Sequence, residues 1–345
     1  MTELESLPRA VAVVGPTAAG KESLGVRVAE RLQQPVLVCD SVKVYRGLDI
    51  GSAKPDARTR ARVAHHLIDL VEPDAIFTAV DYADLALEQL ARTGGVFVGG
   101  TGFYLRATAW TQTWSDPSLD RAADDPQRVA FEASWGEREA AEPGAAWRAL
   151  SAIDAPTAEG IHPNNFRRIV RALWLCRICG GAVSRVRAAD PPRPRVRLLL
   201  LVLDPGPALD ARIVRRVDAM IAAGWQAEVE NLRQAGYDGR HKAMRSLGYR
   251  QMLDVVEGRM DLESARQAIV LATRQYARRQ RTYLRHQLPA EHVIHLSDPE
   301  ACPWDRIEAF ARGEGGPAHA SQSNLAHGPT GPNLAAGPEG PKGAP

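Results

Sequence analysis

Short runs of consecutive apolar residues alternate along the chain with stretches in which apolar residues recur every three or four positions. Runs of the first kind occupy residues 11–14, Val36–Cys39 and 96–98. We predict a buried strand at each, because strands of a parallel sheet are covered on both faces. Residues 67–71 predict a further short strand, and Arg197–Leu203 predicts a long one far along the chain.

Stretches with helical periodicity follow these strands. In residues 24–32 the side chains of Leu24, Val28 and Leu32 fall on one face of a helix, and residues 81–90 are also predicted to be helical. Strands that alternate with helices at this interval predict an α/β fold, in which helices flank a parallel sheet. Functional sites are then expected at the C-terminal ends of the strands.

The composition of successive segments divides the chain. Residues 8–110 are predicted to form the first part of a catalytic core, and residues 191–312 the second part. Residues 111–190 are helical, more polar and broken by prolines, which indicates a helical insertion domain. Residues 313–345 are dominated by Gly and Pro, so we predict a disordered tail that cannot bury enough apolar surface to offset its conformational entropy.

The first strand runs into a phosphate-binding pattern. Gly-Pro-Thr-Ala-Ala-Gly-Lys matches G-x-x-x-x-G-K, in which backbone N–H groups and the lysine surround a di- or triphosphate. The core is therefore predicted to be P-loop NTPase-like. The next residue is Glu22, where the pattern has a Ser or Thr whose hydroxyl ligates Mg²⁺. The residues predicted to bind the phosphates are Gly15, Pro16, Thr17, Ala18, Ala19, Gly20, Lys21, Glu22 and Ser23.

Two other strand ends carry candidate chemistry. Asp40 follows Val36–Cys39, where a carboxylate can act as a general base or a metal ligand, or can simply bond the backbone of a turn. Thr101 follows two glycines, whose backbone can approach a ligand closely. A structural Gly-Gly turn is the alternative there, and the residues alone leave both questions open.

Composition limits the partners. The net charge is only +2, so a nucleic acid would have to bind a local basic stripe. No apolar stretch approaches the roughly 20 residues of a membrane span, and the N-terminus lacks the pattern of a signal peptide. The four cysteines are typical of reduced thiols. We therefore expect a cytoplasmic protein that does not contact a membrane.

Taken in order, several segments resemble the tRNA dimethylallyltransferases (tRNA isopentenyltransferases). They are the phosphate loop, then Asp-Ser-x-x-Val-Tyr-x-x-Leu-Asp-Ile-Gly-Ser-Ala-Lys-Pro from Asp40, Val-Gly-Gly-Thr-Gly-Phe-Tyr from Val98, His-Pro-Asn-Asn from His162 and Gly-Tyr-Arg-Gln from Gly248. The resemblance covers most of the chain outside the tail. No zinc-finger spacing follows the core, which favours the bacterial type of the family.

The resemblance implies a reaction in which a dimethylallyl group passes from dimethylallyl diphosphate to N6 of the adenine just 3′ of the anticodon of a tRNA. Diphosphate is released, with Mg²⁺ as cofactor. Asp40 is implied as the general base for a poorly nucleophilic amine, Thr101 as a neighbour of the reacting centre, and Arg216 as a further diphosphate ligand. We expect Glu22 to ligate the Mg²⁺ directly. A shifted backbone that brings Ser23 to the metal, or impaired activity, are the alternatives.

The resemblance also implies a surface for the tRNA anticodon stem-loop. Lys43 stands where the family usually has Gln. Four of the arginines fall on one stripe of a predicted helix, although a solvated helix face is the alternative. A monomer is the simplest expectation. The residues expected to contact tRNA are Ser41, Lys43, Tyr45, Arg167, Arg168, Arg171, Arg245, Tyr249, Arg250, Arg274, Arg278, Arg281 and Arg285.

Other functions share parts of this pattern. A nucleotide or small-molecule P-loop kinase has the same loop, and an adenylate isopentenyltransferase has the same catalytic core. A non-catalytic RNA-binding protein with a decayed loop is the third alternative, supported by Glu22 alone. The helical insertion and the arginine stripe favour tRNA as the acceptor.

Overall fold

The computed structural model describes residues 4–111, 125–288, 290 and 292–314. Of the predicted tail, residues 315–345 lie outside the described residues. The chain divides into two compact units, one built from Met1–Trp110 and Pro194–Ala320, the other containing Thr111–Arg193. The predicted insertion falls within the second unit.

The first unit contains a six-stranded sheet in which every neighbouring pair of strands is parallel. The order of the strands across it is β3-β2-β4-β1-β5-β6. Because the strands are parallel, the segments that follow β1, β2 and β4 leave the sheet at the same edge. The strands are β1 (Arg9–Val14), β2 (Val36–Cys39), β3 (His65–His66), β4 (Val96–Gly99), β5 (Arg197–Leu203) and β6 (His292–Leu296).

Helices connect the strands and also make up the second unit, which contains α5 to α9. Among the described residues they are α1 (Lys21–Leu32), α2 (Ala57–Arg62), α3 (Ala79–Thr93), α4 (Gly102–Ala109), α5 (Pro126–Ala141), α6 (Ala145–Ile153), α7 (Ala155–Glu159), α8 (Phe166–Ile178), α9 (Val183–Ala189), α10 (Leu209–Ala222), α11 (Trp225–Gln234), α12 (Tyr249–Val256), α13 (Leu262–His286) and α14 (Trp304–Arg312).

Both faces of the sheet are covered, which explains why its central strands are apolar throughout. On one face Ala12, Phe97 and Leu200 pack in a cluster to which α3, α10, α11, α12 and α13 contribute. On the other face Val13 and Leu201 pack against residues of α1 and α14. Among the described helices, none combines the length and the apolar character needed to cross a membrane.

The prediction of a strand at residues 67–71 is wrong. The strand is the dipeptide His65–His66, which pairs with β2. Beyond it Leu67 (φ 62°) and Asp69 (φ 57°) adopt left-handed conformations that a strand does not allow. The N–H groups of Leu70 and Val71 donate to the carbonyl of Val44 at 2.7 and 3.1 Å, so the segment is a loop tied to the residues after β2. The other predicted strands and helices are confirmed within a few residues.

The second unit has a small core of its own, formed by α6, α7, α8 and α9. Asp154, 1% exposed, is satisfied inside it because its carboxylate accepts hydrogen bonds from Thr157 and from the N–H of Ser184. Asn165 caps the N-terminus of α8, accepting from the N–H of Arg168 at 3.4 Å. This unit is therefore a folded helical body built around its own apolar contacts.

Candidate active site

The loop between β1 and α1 forms the centre of the candidate site. Gly15 lies so close to the end of β5 that a Cβ there would be 2.1 Å from the carbonyl oxygen of Leu203. Gly20 occupies the N-cap position of α1 in a left-handed conformation (φ 98°), and no side chain caps the helix. Among the described residues, no acceptor binds the N–H groups of Gly20, Lys21 and Glu22. Unbonded N–H groups at the positive end of a helix are an anion-binding site.

Gln280 of α13 fixes the loop in place. Its side chain is 6% exposed; Oε1 accepts the N–H of Thr17 at 2.8 Å, and Nε2 donates to the carbonyl of Gly100 at 2.9 Å. One amide therefore joins the phosphate loop to the segment after β4. Sequence patterns do not single out this residue, because its partners are 263 and 180 positions away.

Positive charge converges on the loop. The buried ammonium of Lys21 donates to the carbonyl of Pro16 at 2.7 Å, and Arg212 of α10 donates to the carbonyl of Ala19 at 3.0 Å. Burial, and then the positive charge of Arg216, lower the pKa of Lys21 to about 8. Arg216 is half-buried and has no carboxylate partner among the described residues. This arrangement suits a ligand that brings more than one negative charge.

The lowered pKa of Lys21 predicts a pH dependence of diphosphate binding. The ammonium is charged below a pH of about 8 and is lost above it, so we expect the affinity of the free protein for a diphosphate ester to fall as the pH rises through that value. The ligand itself keeps its charge above about pH 7, since the last phosphate pKa is about 6. Equilibrium titrations across this range measure the effect.

Lys21→Arg is the matched control for this titration, because a guanidinium stays charged throughout. We expect it to bind with a changed affinity that does not vary with pH. The same decline in both proteins would show that Lys21 is not the titrating group.

Asp40 and Thr101 lie beside each other at the ends of β2 and β4. Asp40 Oδ1 accepts the N–H groups of Val42 (2.9 Å) and Lys43 (3.3 Å), so the carboxylate closes a turn, while Oδ2 has no partner within the described part of the chain. The hydroxyl of Thr101 accepts the N–H of Ser41 at 3.1 Å. The turn aligns Asp40 and leaves one carboxylate oxygen available to take a proton.

Tyr276 of α13 completes this part of the site, and sequence reasoning missed its place there. Its side chain interacts with Thr101. Burial, and then the negative charge of Asp40, raise the pKa of Tyr276 to about 12, so the phenol stays protonated at neutral pH. A neutral hydroxyl is therefore held next to the candidate base.

Glu22 and Lys43, the two residues that depart from the expected pattern, form an ion pair with each other through Oε1 and Nζ. Lys43 is 2% exposed, so the prediction that it contacts tRNA is corrected: its ammonium is paired with Glu22 and is not presented on the surface. Burial alone would raise the pKa of Glu22, but the charge and hydrogen bond of Lys43 outweigh it and the pKa is lowered.

The ion pair also bears on the expected Mg²⁺. A hard cation at the Glu22 carboxylate would lie next to the Lys43 ammonium, and the two positive charges would repel. The hydroxyl that the phosphate-loop pattern provides at this position is absent. The residues present therefore do not fit a metal ligated by Glu22.

Two tyrosines predicted to contact tRNA are also corrected. Tyr45 is 2% exposed and packs in the apolar core of the first unit. Tyr249 is fully buried, stacks edge-on against Trp225 and donates its hydroxyl to Glu228 at 2.7 Å. Both side chains support the fold from below the surface, where RNA does not reach.

The predicted arginine stripe on α13 divides into two kinds of residue. Arg281 is corrected: it makes two 2.7 Å hydrogen bonds to the carboxylate of Asp204 after β5, so its guanidinium holds the helix to the sheet. Arg274 lies 3.6 Å from Asp210. Arg278 and Arg285 are exposed and stay candidates for phosphate contacts.

The remaining predicted RNA contacts lie in both units. In the first unit Arg245 and Arg250 are exposed. In the second unit Arg167 is exposed at the start of α8, Arg168 is half-buried, and Arg171 is exposed but already interacts with another residue. Their contact with tRNA stays a prediction.

Comparisons with known proteins agree on one family. A family model described as IPP transferase matches residues 43–287. A tRNA dimethylallyltransferase of Roseiflexus sp. (strain RS-1) is 43% identical over 283 residues, which cover 80% of this chain and 89% of the relative. The structure of a full-length tRNA isopentenylpyrophosphate transferase from Bacillus halodurans is 32% identical, with a TM-score of 0.59 and coverage of 89% of this chain and 95% of that one.

A solved structure of a eukaryotic dimethylallyltransferase acting on tRNA has a TM-score of 0.73 and covers 92% of this chain and 82% of that one. Its sequence identity is 21%, so this likeness concerns the fold alone. The two chains therefore share the parallel sheet and its flanking helices.

Proposed function

Since the chain belongs to the IPP transferase family, we propose that it transfers a dimethylallyl group from dimethylallyl diphosphate to N6 of the adenine immediately 3′ of the anticodon of tRNA. The products are N6-isopentenyladenosine in the tRNA and diphosphate. The observation that carries the proposal is the convergence of the phosphate loop, Asp40 and Thr101 at one edge of the sheet.

The bond changes assign a role to each part of the site. N6 attacks C1 of the dimethylallyl group, the C1–O bond breaks, and its electron pair leaves with the diphosphate. The N6 proton passes to Oδ2 of Asp40, whose other oxygen is held by the turn. Thr101, at the adjoining strand end, is proposed to face the amine and the leaving group; its hydroxyl accepts the N–H of Ser41, the residue after Asp40.

The leaving group gains charge as the bond breaks, and the phosphate loop is built to receive it. The unbonded N–H groups at the N-terminus of α1, the ammonium of Lys21 and the guanidinium of Arg216 supply that stabilisation. The donors of the loop itself are already in place, since Gln280 holds the loop. The barrier is lowered because the donors need not be ordered during the reaction.

The second substrate of the proposed reaction is the tRNA. A target adenine within the anticodon loop must leave its stack to reach Asp40. Arg245, Arg250, Arg278 and Arg285 are exposed on the unit that carries the site and are proposed to bind tRNA phosphates. A monomer in the cytoplasm is the proposed form of the enzyme.

One assay tests the proposal against its alternatives. Labelled dimethylallyl diphosphate is offered with tRNA, with AMP, and with no acceptor, and the control acceptor is the same tRNA with guanosine in place of the target adenosine. We expect label in the tRNA only, and none in the guanosine variant. Transfer to AMP alone would identify an adenylate isopentenyltransferase. Phosphate transfer in a parallel reaction with labelled ATP, without prenyl transfer in the first, would identify a kinase.

A further inference from the structure

The Lys43–Glu22 pair joins two elements at the phosphate loop. Glu22 lies in the first turn of α1, and Lys43 lies in the turn that Asp40 closes after β2. The carboxylate is 42% exposed, whereas the ammonium is 2% exposed. A carboxylate suits the positive end of a helix, but without a partner it would repel an anion bound at the same end.

Lys43 has more hydrogen-bond donors than the protein satisfies. An ammonium has three N–H donors, and within the described residues the only acceptor of Lys43 Nζ is Glu22. Lys54 provides the contrast in the same unit. Its side chain is 3% exposed, but its Nζ donates to Tyr45 O at 2.7 Å, Asp49 Oδ1 at 2.6 Å and Asp69 Oδ1 at 2.5 Å. A buried ammonium with unused donors calls for a further acceptor.

The surroundings of Lys43 indicate what that acceptor is. Its charge acts on Lys21, whose own ammonium lies in the phosphate loop, and Arg216 acts on both Lys21 and Glu22. Lys43 and Arg216 therefore lie within electrostatic range of Lys21, beside the unbonded helix N–H groups, and all three cations act on the Glu22 carboxylate. Such a group is stable when an oxyanion with several charges is bound among the cations.

We propose that Lys43, positioned by Glu22, donates to the diphosphate and supplies the positive charge that a metal ion ligated by the phosphate loop would otherwise supply. The proposal rests on diphosphate being the leaving group, as inferred above. It assigns new roles to both residues: Lys43 is a ligand of the diphosphate, and Glu22 is a positioning residue that holds no metal. Binding of the diphosphate then has little need of Mg²⁺.

The test compares wild type with the double variant Glu22→Thr/Lys43→Gln, which installs a metal-ligating hydroxyl and removes the ammonium. The affinity for inorganic diphosphate is measured by calorimetry in EDTA and in Mg²⁺, and the affinity for Mn²⁺ in the presence of diphosphate by electron paramagnetic resonance. Transfer to tRNA is measured under the same conditions. Lys54→Gln is the matched control for the loss of a buried lysine, and thermal unfolding shows that each variant is folded.

We expect EDTA to change the diphosphate affinity of wild type by less than about threefold, and to weaken the double variant by about tenfold or more, with recovery in Mg²⁺. Tight Mn²⁺ binding is expected only in the double variant. Lys43→Gln alone leaves Glu22 facing the anion, and we expect it to bind diphosphate most weakly of all the variants in EDTA. Lys54→Gln is expected to keep the wild-type ratio of the diphosphate affinities in Mg²⁺ and in EDTA.

The proposal would be overturned if wild type and the double variant lost the same diphosphate affinity in EDTA. It would also be overturned if the two proteins bound Mn²⁺ equally tightly. Wild type that binds diphosphate in EDTA but transfers nothing to tRNA in either condition would support the role of the ion pair and overturn the proposed function. The two inferences therefore fail separately.

Discussion

Asp40→Asn is expected to lower kcat for dimethylallyl transfer by about 10²- to 10⁴-fold, the range for loss of a general base. The amide keeps an oxygen that can accept the N–H groups of Val42 and Lys43, so the turn is preserved. Its nitrogen takes the place of Oδ2 and cannot accept a proton from N6. Single-turnover transfer with bound tRNA measures the effect, and the affinities for diphosphate and tRNA are expected to stay close to those of wild type.

Asp56→Asn is the matched control for this substitution. Asp56 also binds a backbone N–H, that of Thr59 at the start of α2, and Asn is an equally good N-cap. We expect it to leave kcat unchanged. If Asp40→Asn behaved in the same way, the carboxylate would serve only the turn.

Gly15→Ala is expected to remove diphosphate binding and to destabilise the first unit by about 3 kcal/mol, the upper end of the range for overpacking. The added Cβ would lie 2.1 Å from the carbonyl oxygen of Leu203, which is backbone within a central strand and cannot rotate away. The loop must therefore move, and its N–H groups move with it. Calorimetric titration with diphosphate and urea unfolding measure the two effects.

Gly239→Ala provides the comparison within the same unit, since the nearest atom to its added Cβ is 3.9 Å away. We expect this variant to keep the free energy of unfolding and the diphosphate affinity of wild type. If the Gly15→Ala protein still bound diphosphate tightly, the loop could relax away from β5, and the close contact between Gly15 and Leu203 would not be needed for binding.

The central strands were predictable because strands buried on both faces are continuous apolar runs. Such a run can be identified in the sequence without knowing which strand it pairs with. β1, β2, β4 and β5 are of this kind. The failures lie at the edges of the sheet, where the signal is weaker. β3 is a dipeptide of histidines at one edge, and β6 at the other edge has exposed positions in its sequence His-Val-Ile-His-Leu.

The site was predictable where one segment carries the chemistry and not where two distant segments share it. The phosphate loop is continuous in sequence, and so the unbonded N–H groups at the start of α1 followed from the pattern. Gln280 acts on residues far away in the chain, and the partner of Arg281 is Asp204, 77 positions earlier. Helical spacing alone cannot distinguish an arginine paired in this way from one exposed to RNA.

Burial separated the roles of residues within a single motif. The motif that begins at Asp40 contains Ser41, which donates its N–H to Thr101 at the site, and Tyr45, which packs in the core. A motif match gives both residues equal weight, whereas the structure places only Ser41 next to Thr101. The exposed fraction of each side chain is the observation that the sequence lacks.

The ion pair between residues 22 and 43 has a consequence for how this chain can change over generations. A descendant that loses only the glutamate keeps a buried, unpaired ammonium, and one that loses only the lysine keeps a bare carboxylate at an anion site. We expect either single change to weaken diphosphate binding more than the loss of both residues, so the two residues are expected to be replaced together. Residues 22 and 43, which are 21 positions apart in the chain, are therefore expected to evolve as a coupled pair.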